Sequence, residues 1–283
     1  MSDRSGENGT GKPTILEEIA AKTRLRVEQA KAAVPLKAMQ EKAESVARGA
    51  GVERESFARA LGQRGLSAIC EVKKASPSKG LIAEDFPWLE IAQEYEAAGA
   101  AAISVLTEPD YFLGANLHLQ QIAATVSVPV LRKDFIVDPY QLYEAVALGA
   151  DAVLLICALL SKETLASYIA IAGSLGISAL VEAHTLSEAE QAAAAGARII
   201  GINNRDLNTF AVDIEASARL RNSIPPGILA VAESGIKSPE DIRILDSLQF
   251  DAVLIGESLM RSADKKRFLA ELMAPSVPCG GSC

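Results

Sequence analysis

The sequence predicts an α/β chain closed into a single (β/α)8 barrel with an N-terminal helical extension. Three observations predict it. From Leu66 onward, eight short β-branched runs alternate with longer helical stretches at intervals of roughly 26 residues, the length of one strand plus one helix. The runs are nearly continuous in apolar residues, as in Ala152-Val153-Leu154-Leu155-Ile156, which is how strands buried on both faces read. The punctuation also repeats: Ala98-Gly99-Ala100, Leu148-Gly149-Ala150 and Ala195-Gly196-Ala197 each close a helical stretch with a residue suited to the left-handed conformation. This is the TIM-barrel pattern. The alternative, a doubly wound open sheet, usually has fewer strands, and its dinucleotide-binding form carries a G-x-G-x-x-G fingerprint that this chain lacks.

Taken in order, residues 1–13 are polar and Gly-rich and read as a flexible tail. Residues 14–65 form the helical extension packed on the barrel. Thr14–Arg48 is helical with partial apolar spacing at Ile15, Ile19, Leu25 and Val27, is interrupted at Pro35, and is followed by a short helix over Ser56–Leu61. This extension serves either as a cover or as a lid that also touches substrate. The barrel occupies residues 66–273, with strands expected at Ser67–Lys73, Ala101–Leu106, Val130–Lys133, Ala152–Ile156, Ser178–Glu182, Ile199–Asn203, Leu229–Glu233 and Ala252–Ile255. Helix starts are marked by Asp138-Pro139, Ser161, Thr185 and Ser238-Pro239, with Pro or acidic residues in the first turn. Residues 274–283 form a second tail.

Composition bounds the function. A single α/β barrel runs to ~250 residues, so 283 residues need not mean two domains. With 49% hydrophobic and 23% charged residues the chain builds a sizeable core and is not disordered. The net charge of -8 argues against nucleic acid or an anionic membrane as partner. The longest apolar run is too short to span a bilayer. Four cysteines, Cys70, Cys157, Cys279 and Cys283, make no disulfide framework, so the expected location is the cytoplasm. The only histidines, His118 and His184, lack metal-ligand spacing, and no metal site is expected; His118 reads as a packing residue, whereas His184 follows a strand and could touch a site.

Polar residues gather at the carboxyl ends of the strands, where barrels of this kind carry their chemistry. Strand one ends Glu71-Val72-Lys73, with Glu71 and Lys73 on one face by the two-residue period. Lys133, Glu182, Asn203 and Glu233 end strands three, five, six and seven. These groups converge on one mouth, where they form either a charge network holding the barrel top or an acid–base site. Ser234-Gly235 and Gly256-Glu257, after strands seven and eight, read as a phosphate-binding pair of turns working through backbone N–H groups. No Arg or Lys follows either strand until Lys237 and Arg261, which are expected to lie too far along to contribute. Gly256 is expected to clear space for phosphate oxygens.

The run Glu71-Val72-Lys73-Lys74-Ala75-Ser76-Pro77-Ser78-Lys79-Gly80 resembles the signature of indole-3-glycerol-phosphate synthases. The resemblance continues through Ser104-Val105-Leu106-Thr107-Glu108, Tyr111-Phe112, Leu131-Arg132-Lys133-Asp134-Phe135-Ile136 and Leu180-Val181-Glu182. It extends through Gly201-Ile202-Asn203-Asn204-Arg205-Asp206-Leu207, Ala232-Glu233-Ser234-Gly235-Ile236 and Ile255-Gly256-Glu257-Ser258-Leu259-Met260, covering residues 14 to 272 in order.

The resemblance implies conversion of 1-(2-carboxyphenylamino)-1-deoxyribulose 5-phosphate to indole-3-glycerol phosphate, with loss of CO2 and water, in tryptophan biosynthesis. It implies no metal or organic cofactor and a small phosphorylated substrate as the partner; the chain is expected to be a monomer. Lys133 resembles the acid of ring closure, which neighbours could serve by lowering its pKa. Glu182 matches the base of the dehydration, and Lys73 would contact the substrate's anionic groups or assist hydroxyl departure. Glu71, Asn203 and Glu233 would orient these groups and the sugar hydroxyls. Arg205 would meet the aryl carboxylate. Ser76, Ser234, Gly235, Gly256 and Glu257 would line the phosphate end. Leu106, Phe112, Leu131, Phe135 and Leu207 are candidates for the aryl slot, each with a core reading beside it. Pro77 stiffens the segment after strand one, and Ala75–Phe86 would act as a lid. A phosphoribosylanthranilate isomerase would share the Gly turns but uses a Cys/Asp pair, and Cys70 lies on the face opposite Glu71. A non-catalytic binding barrel would be expected to lack one of the mouth residues.

Overall fold

The computed structural model describes residues 13–49, 56–205 and 215–274. Eight parallel strands close into a barrel in which sequence neighbours pair and the first strand pairs with the eighth. They are Ser67–Val72, Ala102–Leu106, Val130–Lys133, Ala152–Ile156, Ser178–Ala183, Ile199–Asn203, Leu229–Glu233 and Ala252–Ile255, within one residue of the predicted runs at every end. The helices are α1 (Ile15–Ala33), α2 (Leu36–Ala47), α3 (Ser56–Leu61), α4 (Trp88–Ala97), α5 (Asn116–Ala123), α6 (Tyr140–Ala147), α7 (Lys162–Ser174), α8 (Leu186–Ala194), α9 (Glu215–Arg221), α10 (Pro239–Ser247), α11 (Glu257–Arg261) and α12 (Lys265–Leu272). No helix among the described residues is long and apolar enough to cross a membrane.

Local chemistry sets the boundaries. Ser161, Thr185 and Ser238 each accept a backbone N–H from the residue three positions on, and Thr185 and Ser238 complete capping boxes with Glu188 and Asp241. Asp138 works from one position further out: Pro139 occupies the cap of α6, and the Asp138 carboxylate accepts the Tyr140 N–H at 2.9 Å. Gly99, Gly149 and Gly196 take φ values of 93°, 91° and 90°, the left-handed conformation that ends α4, α6 and α8.

Alternation along the strands divides the core in two. Ile69, Leu131, Leu154, Leu180, Ile199 and Val231 fill the barrel interior. Cys70, Val105, Val153, Val181 and Ile200 pack outward in the larger helix-covered core. Phe57 and Leu61 of α3, both fully buried, join the interior cluster, and α3 packs against the first, second and fifth strands. Ser56 donates to Asp151 at 2.9 Å, in the turn that precedes strand four, so α3 closes the amino-terminal end of the barrel.

The opposite end is crossed by α1. Arg26 reaches Glu108 at 3.1 Å and Lys31 reaches Asp138 at 2.7 Å, in the loops after strands two and three. Glu108 is fully buried and also accepts the backbone N–H groups of Asp110, Tyr111 and Phe112 at 3.1, 2.7 and 3.2 Å. One carboxylate therefore folds the loop that carries Phe112 and docks the helix above it. The segment expected as a lid is a folded ribbon: Ala75–Ser76 pairs antiparallel with Gly80–Leu81, and Ile82 and Ala83 donate to the Lys74 carbonyl.

Strand three carries a buried cation on its outer face. The Arg132 guanidinium contacts Glu144 at 2.8 Å and Asp134 at 3.2 Å, and donates to the Gln141 carbonyl and the Asn116 side chain at 3.2 Å each. Removing it strands two acids in a dry environment. Arg132→Met is therefore expected to lose about 3–5 kcal/mol of stability, read as a lower urea midpoint with an unchanged slope.

Candidate active site

The carboxyl ends of the strands surround a cavity of about 420 Å³, a size suited to a small-molecule ligand. The two-residue period carries Glu71, Lys73, Lys133, Glu182, Asn203 and Glu233 inward from five strands, and all six line it. The Lys133 ammonium stands 3.6 Å from Glu233, 3.7 Å from Glu182 and 4.0 Å from Glu71. Lys73 is bonded to Glu71.

Three carboxyl groups thus share two ammonium groups in a buried space. Burial alone would lower Lys133, but Glu233, Glu182 and Glu71 outweigh it and hold the amine above its ordinary value. This reverses the expectation that its neighbours lower it. Burial pushes Glu71 up, yet Lys73 and Lys133 more than compensate and keep it below the usual range. Glu182 is likewise held low, because Lys133, His184 and Asn203 outweigh its burial. Glu233 is the group left over. Burial and the adjacent Glu182 push it up to about 8, and neither of its oxygens makes a hydrogen bond. Near neutral pH it holds the spare proton, which leaves two carboxylates facing two cations.

Two glycines make room for this arrangement. A Cβ at Gly201 would overlap Oε1 of Glu233, and one at Gly256 would overlap Oε1 of Glu71 and crowd Nζ of Lys73 at 3.0 Å. The missing side chain of Gly256 accommodates the Glu71–Lys73 pair, a constraint the sequence alone does not show.

Phe112 and Phe135 form one apolar wall, their ring centroids 6.0 Å apart, and Leu106 adds to it. Leu131, expected in the aryl slot, is fully buried in the barrel interior. It shares the inward face with Lys133 but sits two residues deeper, in the closed aliphatic layer. Leu207 lies outside the described residues. Ser76, Pro77 and Arg205 line the cavity, with Ser78 and Lys79 from the same ribbon. The extension also enters, through Ile15, Leu16 and Ile19 of α1.

Ser234, Gly235, Gly256 and Glu257 lie together at one end of the cavity. Ser234 has φ 66° and Gly235 φ 86°, and a left-handed non-glycine residue is a strained choice that concentrates at functional sites. Asn204 holds this turn by donating to the Ser234 carbonyl at 3.2 Å, and Ser258 donates to the Ile236 carbonyl at 3.0 Å. The expectation that no cation reaches this end is corrected: Lys237 and Arg261 both line the cavity. The Glu257 carboxylate gathers Arg261 at 3.4 Å, Lys79 at 3.6 Å and Arg205 at 3.8 Å. The loops fold back over the mouth, so distance along the chain misjudges reach. Among the described residues, no group of three or more His, Cys, Asp or Glu could hold a metal ion.

A family model described as "Indole-3-glycerol phosphate synthase" matches residues 16–272. The indole-3-glycerol phosphate synthase of Ruminiclostridium cellulolyticum is 54% identical over 260 residues, covering 91% of this chain and 98% of that protein. The protein of the same name from Carboxydothermus hydrogenoformans is 49% identical over 263 residues, covering 92% and 100%. Among solved structures, 3-hexulose-6-phosphate synthase from Salmonella typhimurium is similar with a TM-score of 0.61 at 15% identity, covering 74% of this chain and 97% of that one. That likeness shows the barrel fold alone.

The two glycines give a prediction. Gly201→Ala and Gly256→Ala are each expected to cut turnover at least tenfold, by displacing Glu233 or the Glu71–Lys73 pair, while the melting temperature falls little. Both contacts are with the ends of flexible side chains, so the strand can keep its place. Parallel measurement of kcat and thermal unfolding checks this, and a stability loss that accounts for all the lost activity would contradict it.

Proposed function

The chain belongs to the indole-3-glycerol phosphate synthase family, and from that premise we propose how its barrel mouth performs the reaction. The reaction takes 1-(2-carboxyphenylamino)-1-deoxyribulose 5-phosphate to indole-3-glycerol phosphate, CO2 and water, in tryptophan biosynthesis. It is a carboxy-lyase reaction with a ring closure and a dehydration. The observation that carries the assignment of roles is the Lys133 ammonium held among Glu233, Glu182 and Glu71.

Ring closure needs a donor at the substrate ketone. As the anthranilate ring carbon attacks, the ketone oxygen gains charge, and Lys133 meets it with a proton. A raised pKa suits this role: the amine stays cationic until an alkoxide develops, and an alkoxide is the stronger base. The ring carboxylate then leaves as CO2 and returns its electron pair to the ring. The new hydroxyl departs as water with a proton from Lys73, while Glu182 takes a proton from the adjacent carbon. Two protons leave the lysines; one returns from Glu182 and the second comes from solvent, because converting the carboxylate to CO2 and releasing water consumes one proton overall. Glu182 is suited to be the base because it is held ionised. Glu233, protonated near neutral pH, can donate to a sugar hydroxyl. Glu71 keeps Lys73 in place, and Asn203 helps hold Glu182 ionised.

The cavity offers different walls to the aryl ring and to the phosphate. The aryl ring is placed against Phe112, Phe135 and Leu106. The phosphate is placed at the Ser234-Gly235 and Gly256-Glu257 turns, where Lys237 and Arg261 add charge to the backbone donors. Arg205 lines the same cavity and its planar fork suits the aryl carboxylate; its contact with Glu257 sets it beside the phosphate turns, so the carboxylate is turned toward that end.

Two outcomes test this reading. Lys133→Ala and Glu182→Gln are each expected to lower kcat by about 10²–10⁴-fold, the usual worth of a positioned acid or base, with a much smaller change in KM. Indole fluorescence follows the product, and either variant retaining most of its kcat would remove its role. Activity is also expected to survive exhaustive dialysis against EDTA, since the acid–base set is complete in amino-acid side chains. Loss of turnover that a divalent ion restores would contradict that expectation.

A further inference from the structure

Glu182 and Glu233 are both buried carboxyls facing the same ammonium, at 3.7 and 3.6 Å, and something must decide which of them ionises. The groups around the pair differ on one side. Glu233 meets Lys133, Glu182 and Glu71, so its remaining neighbours are acidic. Glu182 meets Lys133 and Asn203, and in addition its Oε1 lies 3.4 Å from Nε2 of His184. His184 does not line the cavity. Its ring stands behind Glu182, with Nδ1 3.7 Å from Oε2 of Glu188 on α8. Both ring nitrogens are shielded from solvent, and neither makes an aligned hydrogen bond.

The ring is fixed from its own backbone. The His184 N–H donates to Oε2 of Glu188 at 2.6 Å, and the same carboxylate closes the capping box of α8 with Thr185. The cap of one helix thus sets the position of an imidazole against the carboxylate proposed as the base. The remaining titratable neighbour, Cys157 on the turn after strand four, contacts the Glu188 carbonyl at 3.5 Å, and burial pushes its thiol up to about 12, so it stays neutral.

We propose that His184 is a positioning residue for the reaction: it presents an Nε2–H to Glu182, so that of the two mouth carboxyls Glu182 is the one kept ionised and aimed at the substrate. The imidazole touches neither substrate nor product and acts through Glu182 alone. The inference rests on Glu182 being the base.

The side chains of Asn and Gln separate the two ring nitrogens. Asn places an amide near the position of Nδ1, toward Glu188, whereas Gln reaches the position of Nε2, toward Glu182. In His184→Asn the acidic limb of the kcat profile is expected to move up by about one pH unit or more, as a carboxylate does on losing a close donor or opposite charge. KM is expected to stay within its wild-type range. The sign follows from the anion: without the donor, the ionised form of Glu182 is less favoured and more alkaline solution is needed to produce it. His184→Gln is expected to return the limb most of the way. A limb unmoved in His184→Asn, or moved equally in both variants, overturns the proposal. Nitrogen NMR of the unmodified protein gives a reading that needs no variant: Nε2 is expected to carry a proton wherever kcat is maximal, and a ring protonated only at Nδ1 overturns the proposal too. Glu182→Gln distinguishes the failures. If that variant is active, the base assignment is at fault; if it is inactive and the His184 limb does not move, only the role of His184 is.

Discussion

Three carboxyl groups and two ammonium groups share one buried mouth, and the rest of the site is organised by that imbalance. Burial and the adjacent Glu182 favour a proton on one of these acids, and Glu233 is pushed up to about 8. One cluster then holds a cationic amine, an ionised carboxylate and a neutral acid within a few ångströms. The arrangement demands space at the strand ends, which Gly201 and Gly256 provide. Above the cluster the walls divide by chemistry: the Phe112–Phe135 pair on one side, and Lys237, Arg261 and the left-handed Ser234-Gly235 turn on the other.

The two ends of the barrel are closed by parts of the same extension, with different consequences. At the amino-terminal end α3 inserts Phe57 and Leu61 into the interior cluster and completes a purely apolar plug. At the carboxyl end α1 is held by charge, through Arg26 to Glu108 and Lys31 to Asp138. Its apolar residues Ile15, Leu16 and Ile19 therefore face the cavity. The α3 end is a matter of stability. The α1 end is part of the cavity wall.

What the sequence made legible follows from how local each signal is. The strands were readable because an apolar run such as Ala152–Ile156 carries its own period, and the helix ends because Ser161, Thr185 and Ser238 act on N–H groups three residues away. The mouth residues were readable because a strand end fixes both depth and direction. Leu131 was misplaced because period alone gives the face but not the layer, and the layer depends on barrel closure. The roles of Lys237, Arg261 and α1 were hidden because they depend on loops folding back and on pairs spanning most of a hundred residues, such as Arg26 with Glu108. The ribbon over Ala75–Leu81 was hidden because two-residue strands have no period to read. That Gly256 also clears room for Glu71 and Lys73 was hidden, because only barrel closure brings the first and eighth strands together.

Strand three is only four residues long, yet it places Leu131 and Lys133 inward and Arg132 outward, in register with Ser104, Val105 and Leu106 of its neighbour. Sliding it by one residue would exchange the faces of every side chain. Arg132 would turn into the mouth, away from Glu144 and Asp134, and Lys133 would be driven among the helices, away from Glu182 and Glu233. Two buried cations would lose their partners at once. A short apolar strand has little else to distinguish one alignment from the next during folding. Here the adjacent charges, each matched to a different compartment, act as a proofreading device: the barrel closes at low energy only when Lys133 already stands among the mouth carboxyls.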